Sequence, residues 1–130
     1  MLIKQLSVFL ENKQGKFAEI AGLLGEKGVN MKAFTVSESS DFGIARFIVD
    51  DTERALSVLR AASYAVTTTD VVYLKCPNVP GAMASAMKAL SKAGVFIEYM
   101  YAYSDDGHAN LIIRSNDKDT ATCEKIISTL

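Results

Sequence analysis

The chain has 130 residues, of which 49% are hydrophobic and 22% charged, and this composition is typical of a globular protein and excludes a disordered one. Its 14 Lys and Arg against 15 Asp and Glu give a net charge of −1, which offers no basic field to phosphates, so we expect no nucleic-acid partner. Because no signal-peptide pattern and no membrane-length apolar run occurs, we expect a cytoplasmic protein without a membrane partner.

The first half of the chain predicts a strand, a helix, a hairpin, a second helix and a short closing strand. In chain order these elements are 2–10, 16–27, 29–37 and 44–49, a helix that begins after 50–52, and 65–69. Gly28 ends the first helix, because glycine readily takes the left-handed conformation that follows a helix end. Residues 39–41 are polar and predict the turn of the hairpin.

The same order restarts at residue 71 without a linker. Its elements are 71–76, 81–93, 95–103 and 109–113, followed by a helix that Asn116 or Asp117 caps. The fold class is therefore α+β, with two ferredoxin-like βαββαβ repeats, 1–70 and 71–130, that share one antiparallel sheet with the helices on one face. The second repeat lacks its last strand, so we expect either a clipped sequence or a sheet edge left for a partner to cover.

A constant shift of 66 residues relates the two halves. Gly15 and Gly28 return as Gly81 and Gly94 (81 − 15 and 94 − 28), and the apolar positions of the helix between the glycines return with them. Two copies of so small a unit are expected to pack side by side, because neither buries its apolar face well alone. We expect the function at the seam between them.

The sequence offers little for catalysis. His108 is the one histidine and is interpreted as a solvated turn residue. Cys76 and Cys123 lack the spacing of a zinc site and are interpreted as reduced, buried thiols. No glycine-rich phosphate loop precedes a helix. We therefore predict no catalytic residue, no metal and no cofactor, and a protein that is not an enzyme.

Two strand–turn–helix junctions remain as candidate binding sites. At each one a glycine, Gly15 or Gly81, lets a ligand approach the backbone, and the free N–H groups of the helix start favour a carboxylate. Asn12 and Asn78 hold equivalent positions in the two turns and offer amides to a small polar group. The alternative is that each asparagine makes an Asx hydrogen bond to its own backbone.

These tandem strand–turn–Gly–helix units, together with the sequence Gly28-Val29-Asn30-Met31, resemble ACT domains, which are small βαββαβ regulatory modules that bind amino acids. The resemblance covers nearly the whole chain. It implies that two modules side by side form one continuous sheet with ligands at the seam. It also implies that the glycine loop of one module contributes backbone N–H groups and that a strand of the other contributes an asparagine.

Carried over to this sequence, the resemblance implies one site where loop 78–81 faces Asn30 and a second where loop 12–15 faces Phe96. The second site has a ring in place of the asparagine, and Gln14 stands where the loop usually has proline. We therefore expect the first site to bind an amino acid better, and the second to be vacant, weaker or suited to a different ligand. The candidate ligand-binding residues are Asn78, Val79, Pro80, Gly81, Ala82, Asn30, Met31, Asn12, Gln14, Gly15, Lys16, Phe96 and Ile97.

The leading functional hypothesis is a non-catalytic sensor of a free amino acid that regulates amino-acid metabolism. Phe96, Tyr99, Tyr101 and Tyr103 favour a ring-bearing ligand such as Phe, Tyr or His, with ordinary packing of these rings as the alternative. A ligand-free interaction or dimerisation module that pairs with an enzyme is the alternative function, and a homodimer is expected. An enzyme on a ferredoxin-like scaffold is the third hypothesis, and the missing catalytic set disfavours it.

Overall fold

The computed structural model describes residues 1–11, 13–38 and 42–130. The elements are β1 (Leu2–Glu11), α1 (Lys16–Glu26), β2 (Met31–Glu38), β3 (Phe42–Val49), α2 (Thr52–Ala61), β4 (Ala65–Pro77), α3 (Ala82–Lys92), β5 (Ile97–Asp105), β6 (His108–Ser115), a 3-10 helix (Asp117–Asp119) and α4 (Thr120–Ser128). Asn12 and the predicted turn at 39–41 lie outside the described residues.

The α+β fold class is confirmed, with the described strands hydrogen-bonded in the order β2-β3-β1-β4-β6-β5 of one antiparallel sheet. The predicted strands 65–69 and 71–76 are in fact one strand, β4. No glycine or proline separates them, and the buried side chains of Val66 and Val72 lie an even number of residues apart, as one continuous strand requires. Two compact units result: a first-repeat unit, residues 4–69, and a second-repeat unit, residues 1–3 with 70–130.

In the first-repeat unit, two helices cover the apolar face of the strands. Leu6 on β1 lies opposite Phe47 on β3, and both are fully buried. Ile20 and Leu24 of α1, four residues apart on one helical face, pack into the same core with Leu59 of α2. This arrangement fixes the start of α1 at the end of β1, where the first glycine loop lies.

The second-repeat unit repeats this plan around a core of its own. Leu74 of β4, Leu90 of α3 and Leu111 of β6 are all buried in that core. The start of β1 lies beside β4, where the Met1 carbonyl accepts the N–H of Tyr73 at 2.9 Å. The expectation that this edge is left for a partner is therefore corrected, because residues 1–3 of the same chain cover it.

Three smaller predictions have outcomes in the structure. Cys76 and Cys123 are free and buried, as predicted, and burial raises the pKa of the Cys123 thiol. His108 is the first residue of β6 and does not belong to the turn, although its Nδ1 lies 3.1 Å from the Asp106 carbonyl oxygen. Among the described residues, no helix is both long enough and apolar enough to cross a membrane.

Candidate ligand site at the glycine loops

The two glycine loops have the same backbone geometry. Gly15 has a φ of 85° and Gly81 a φ of 89°, in the left-handed region that glycine alone adopts without strain. Immediately after them, the Lys16 N–H donates to the Lys13 carbonyl at 3.4 Å, and the Ala82 N–H donates to the Val79 carbonyl at 3.3 Å. Each bond in one repeat recurs 66 residues later in the other, so the predicted equivalence of the two junctions is confirmed.

Neither α1 nor α3 has a side-chain cap at its N-terminus. In contrast, Asp51 caps α2 by accepting the Arg54 N–H at 3.2 Å, and Asn116 caps the 3-10 helix by accepting the Asp119 N–H at 3.1 Å. A glycine cap leaves the first N–H groups of a helix without a side-chain acceptor. α4 has no side-chain cap of its own either, but it continues directly from the capped 3-10 helix. The uncapped helix starts that follow a loop are therefore those after the two glycine loops.

The sequence predicts that the N–H groups around Gly81 and Ala82 bind a carboxylate, and the structure shows which donors at the start of α3 are free. The Ala82 N–H already bonds to Val79, and the first α-helical bond runs from the Ser85 N–H to the Gly81 carbonyl at 3.1 Å. The intervening N–H groups of Met83 and Ala84 have no acceptor four residues earlier within the helix. They are the helix-start donors that can receive an anion.

A cavity of about 600 Å³ lies at this junction in the second-repeat unit. The predicted residues that line it are Asn78, Val79, Pro80 and Gly81. None of the described residues that line it is charged, and its volume lies within the range of about 300–1,000 Å³ that small-molecule sites occupy. The cavity can therefore take a small molecule whose buried part is uncharged.

Sequence reasoning missed the far wall of this cavity. Met83 and Ala84 line it from α3, and Ala102 and Ser104 line it from β5. Met100 on β5 packs against the helices, so strand alternation puts residues 102 and 104 on the same face. The sequence contained one signal for this wall: Ala102 and Ser104 are small side chains at two successive inward positions of a strand. Small side chains there leave space for a cavity beside the helix.

The Asn78 side chain makes no hydrogen bond to any described residue. Only its backbone N–H is bonded, to the Gly107 carbonyl at 3.0 Å. The Asx hydrogen bond that was the alternative for this asparagine is therefore not formed in the described part of the chain. Its exposed amide is available to a ligand.

The first-repeat unit has a smaller cavity, lined in part by charged residues, at its own glycine loop. This cavity has a volume of about 270 Å³, and Gly15 and Lys16 line it, whereas Gln14 does not. Glu11 and Lys13 line it as an ion pair, 2.9 Å apart, and the Lys13 ammonium lowers the pKa of Glu11. The two glycine loops thus differ in both volume and charge.

The remaining predicted residues lie at the junctions that follow α1 and α3. Asn30 is exposed, and its backbone N–H donates to Asp50 Oδ1 at 3.0 Å, with Met31 next to it as the first residue of β2. Phe96 is 64% exposed and, with Ile97, lines a separate cavity of about 450 Å³ in the second-repeat unit. Asn30 and Met31 therefore belong to one unit, and loop 78–81 to the other.

The tyrosines of β5 are not arranged as the ring-stacking argument expects. Tyr99, Tyr101 and Tyr103 pair in register with Arg114, Ile112 and Asn110. Along β5 and β6, these six residues alternate with the residues that face the helices. The three rings therefore point to the face of the sheet that is turned away from the start of α3. Only Tyr103 contributes to the cavity at loop 78–81, so stacking on a row of rings is not supported there.

Solved structures similar to this chain share its fold. Protein BT0572 from Bacteroides thetaiotaomicron is 43% identical, with a TM-score of 0.91 over 99% of this chain and 88% of that one. The regulatory subunits of aspartate kinase from Thermus thermophilus and Thermus flavus are each 15% identical, with TM-scores of 0.72 and 0.67. Each of those two alignments covers 99% of this chain and 94% of the other. Among curated proteins the chain has no significant match.

The family comparison covers the whole chain. Residues 1–130 match the family model described as an ACT domain pair. The match agrees with the 66-residue repeat, with the similar left-handed conformations of the two loop glycines, and with the resemblance based on Gly28-Val29-Asn30-Met31. The chain belongs to the ACT domain pair family.

Proposed function

We propose that this chain is a non-catalytic regulatory module that binds a free amino acid in the cavity at loop 78–81. One observation carries the proposal: an uncapped helix N-terminus lies beside an uncharged cavity of ligand size. Such a helix start attracts a carboxylate, because its free N–H groups and the helix dipole both favour negative charge. An amino acid combines that carboxylate with a side chain that the cavity can enclose.

The helix start and the loop divide the work of holding the ligand. The ligand carboxylate accepts hydrogen bonds from the N–H groups of Met83 and Ala84, and hydrogen bonds to charged groups contribute about 1.5–3 kcal/mol each. The Asn78 side-chain oxygen accepts a hydrogen bond from the ligand ammonium, since this side chain has no other partner among the described residues. The positive φ of Gly81 holds the loop in the shape that permits both contacts.

The cavity lining favours a neutral, ring-bearing amino acid such as Phe, Tyr or His. A charged ligand side chain buried there would have no counter-ion among the described lining residues, since none of them is charged. A volume of about 600 Å³ accommodates a ring, and Val79, Met83 and Leu111 provide apolar contacts. The choice of a ring-bearing ligand therefore rests on volume and polarity.

We also propose that Asn30 contacts the ligand, because the resemblance to ACT domains implies an asparagine at this position of the site. In that arrangement Asn30 supplies an amide from the first repeat to the amino acid at loop 78–81. The second site, where Phe96 replaces the asparagine, binds the same ligand more weakly, and the small charged cavity at Gly15 supports this order. The two sites are proposed to be unequal for these reasons.

We further propose that the bound amino acid regulates an enzyme of amino-acid metabolism. The proteins from Thermus thermophilus and Thermus flavus that share the fold are regulatory subunits of aspartate kinase, which motivates this assignment. A ligand-free module that pairs with an enzyme is the alternative. A homodimer is compatible with both.

A thermal-shift screen against the twenty common amino acids tests the proposal. A ligand at a hundredfold excess over its Kd stabilises the folded state by about 2.7 kcal/mol, so Phe, Tyr or His should raise the melting temperature by several degrees. Aspartate and glutamate should not raise it. If no amino acid changes the melting temperature, the binding proposal is wrong and the ligand-free module replaces it.

A further inference from the structure

A second surface of the first-repeat unit, a groove between α1 and α2, lies apart from the glycine loops. It has a volume of about 480 Å³. Leu23 of α1 and Val58 of α2 form its apolar floor and pack against the core beneath. Five of its seven lining residues are exposed, so the groove is open to solvent along the two helices.

Two cations line this groove, and none of the described residues that line it is acidic. Lys27 lies at the end of α1 and Arg54 in the first turn of α2. Within residues 1–11, 13–38 and 42–130, neither side chain makes an ion pair or a hydrogen bond. Glu26 and Glu53 neighbour them in sequence but do not line the groove. The groove therefore combines apolar contact with two cations that have no ion-pair partner among the described residues.

The position of Arg54 is not explained by the stability of its own helix. Positive charge is favourable at the last turn of a helix and unfavourable at the first, because of the helix dipole. Arg60 in the last turn of α2, and Lys27 at the end of α1, follow this preference, whereas Arg54 opposes it. An external anionic group beside Arg54 would offset this cost.

We propose that this groove docks an acidic segment of a partner protein, with apolar side chains against Leu23 and Val58 and carboxylates against Lys27 and Arg54. An open groove with a polar rim fits a protein segment better than an enclosed small molecule. The residue that corresponds to Lys27 in the second repeat is Ala93 (93 − 27 = 66), so the docking surface belongs to the first repeat.

A fluorescein-labelled synthetic peptide tests the proposal in the full chain. The peptide has 15 residues, with leucines at helical i, i+3, i+4 and i+7 spacing and glutamates beside them. Fluorescence anisotropy should show saturable binding that the Lys27→Glu/Arg54→Glu variant weakens by at least tenfold. The matched control, Lys88→Glu/Lys92→Glu, makes the same change in net charge on exposed positions of α3 and should bind like the unmodified chain.

Three outcomes would overturn the proposal: equal loss of binding in the control variant, equal binding of a peptide with lysines for the glutamates, or displacement of the peptide by inorganic triphosphate with tighter binding than the peptide itself. The last outcome would identify a small-anion site. A Lys27→Gln/Arg54→Gln variant, which adds no repulsion, should weaken binding less than the glutamate variant does. The groove contains no residue of loop 78–81, so either proposal can fail alone.

Discussion

Asn30 and Phe96 hold the same backbone position in the two repeats. The carbonyl of each accepts the N–H of the residue twenty positions later (50 − 30 and 116 − 96), Asp50 at 3.1 Å and Asn116 at 3.3 Å. The N–H of each also donates to a carboxylate at 3.0 Å, that of Asp50 or of Asp119. Because the backbones match, the difference between an amide and a ring changes the chemistry of this position without changing its backbone.

The first prediction concerns the side chain of Asn30, which we propose contacts the ligand. Asn30→Ala should weaken amino-acid binding by about ten- to a hundredfold, because it removes the proposed hydrogen bond from Asn30 to the ligand, worth about 1–3 kcal/mol. Stability should change by less than about 0.5 kcal/mol, since the exposed Asn30 side chain makes no hydrogen bond among the described residues and the backbone bonds remain. Isothermal titration calorimetry and chemical denaturation measure the two effects.

The control for this variant is Asn116→Ala. It removes the side-chain cap of the 3-10 helix and should cost about 1 kcal/mol of unfolding free energy while leaving ligand affinity unchanged. Full affinity in Asn30→Ala would remove Asn30 from the site.

The second prediction concerns Gly81. Valine there has to adopt a φ of 89°, which costs about 1–3 kcal/mol, and its branched Cβ lies where the ligand approaches the helix start. Gly81→Val should therefore abolish calorimetrically detectable binding. Gly28→Val is the matched control, because it has a similar φ of 75° and likewise no atom within 4 Å of an added Cβ, but it does not line either glycine-loop cavity. Equal affinity in the two variants would contradict the assignment of loop 78–81.

Much of this fold could be predicted from sequence, because the signals are local or repeated. The shift of 66 and the glycines at 15 and 81 identified both junctions. The continuity of β4 and the cover that residues 1–3 give to β4 depend on pairing between distant segments, which periodicity does not report. The free N–H group of Met83 was not predicted, because it depends on which N–H groups the preceding turn already bonds. The place of Ala102 in the cavity wall was not predicted either, because it depends on which face of β5 meets the helix.

The third prediction concerns a buried amide. The Asn110 side chain is 1% exposed, accepts the Tyr73 hydroxyl hydrogen, and donates to Asp105 Oδ1 at 2.9 Å. Tyr73→Phe leaves the Asn110 oxygen without a donor and should lower the unfolding free energy by about 1–3 kcal/mol. Tyr64→Phe, which removes a hydroxyl bonded to the exposed Glu19, should cost less. If urea denaturation shows equal losses of unfolding free energy in the two variants, the Asn110 network contributes no more stability than the exposed hydrogen bond of Tyr64.

The fourth prediction is a pH dependence from the same network. Burial, followed by the negative charge of Tyr103 and Asp105, raises the pKa of Tyr73 above its ordinary value. Its stabilisation is then fully present below pH of about 10, the pKa of an unfolded tyrosine, and is lost as the pH rises through the folded pKa. The unmodified chain should lose more stability than Tyr73→Phe above that pH. Parallel stability curves for the two proteins would reject this account.

The most direct test of amino-acid binding at loop 78–81 is a titration of the ¹⁵N-labelled chain with phenylalanine, tyrosine and histidine, followed by amide chemical shifts. At least one of them should produce saturable shifts that are largest at Gly81, Met83 and Ala84. Asn30 should shift in the same titration if it contacts the ligand. Saturable shifts confined to Gly15 and its neighbours, or no shifts with any of the three ligands, would contradict this account.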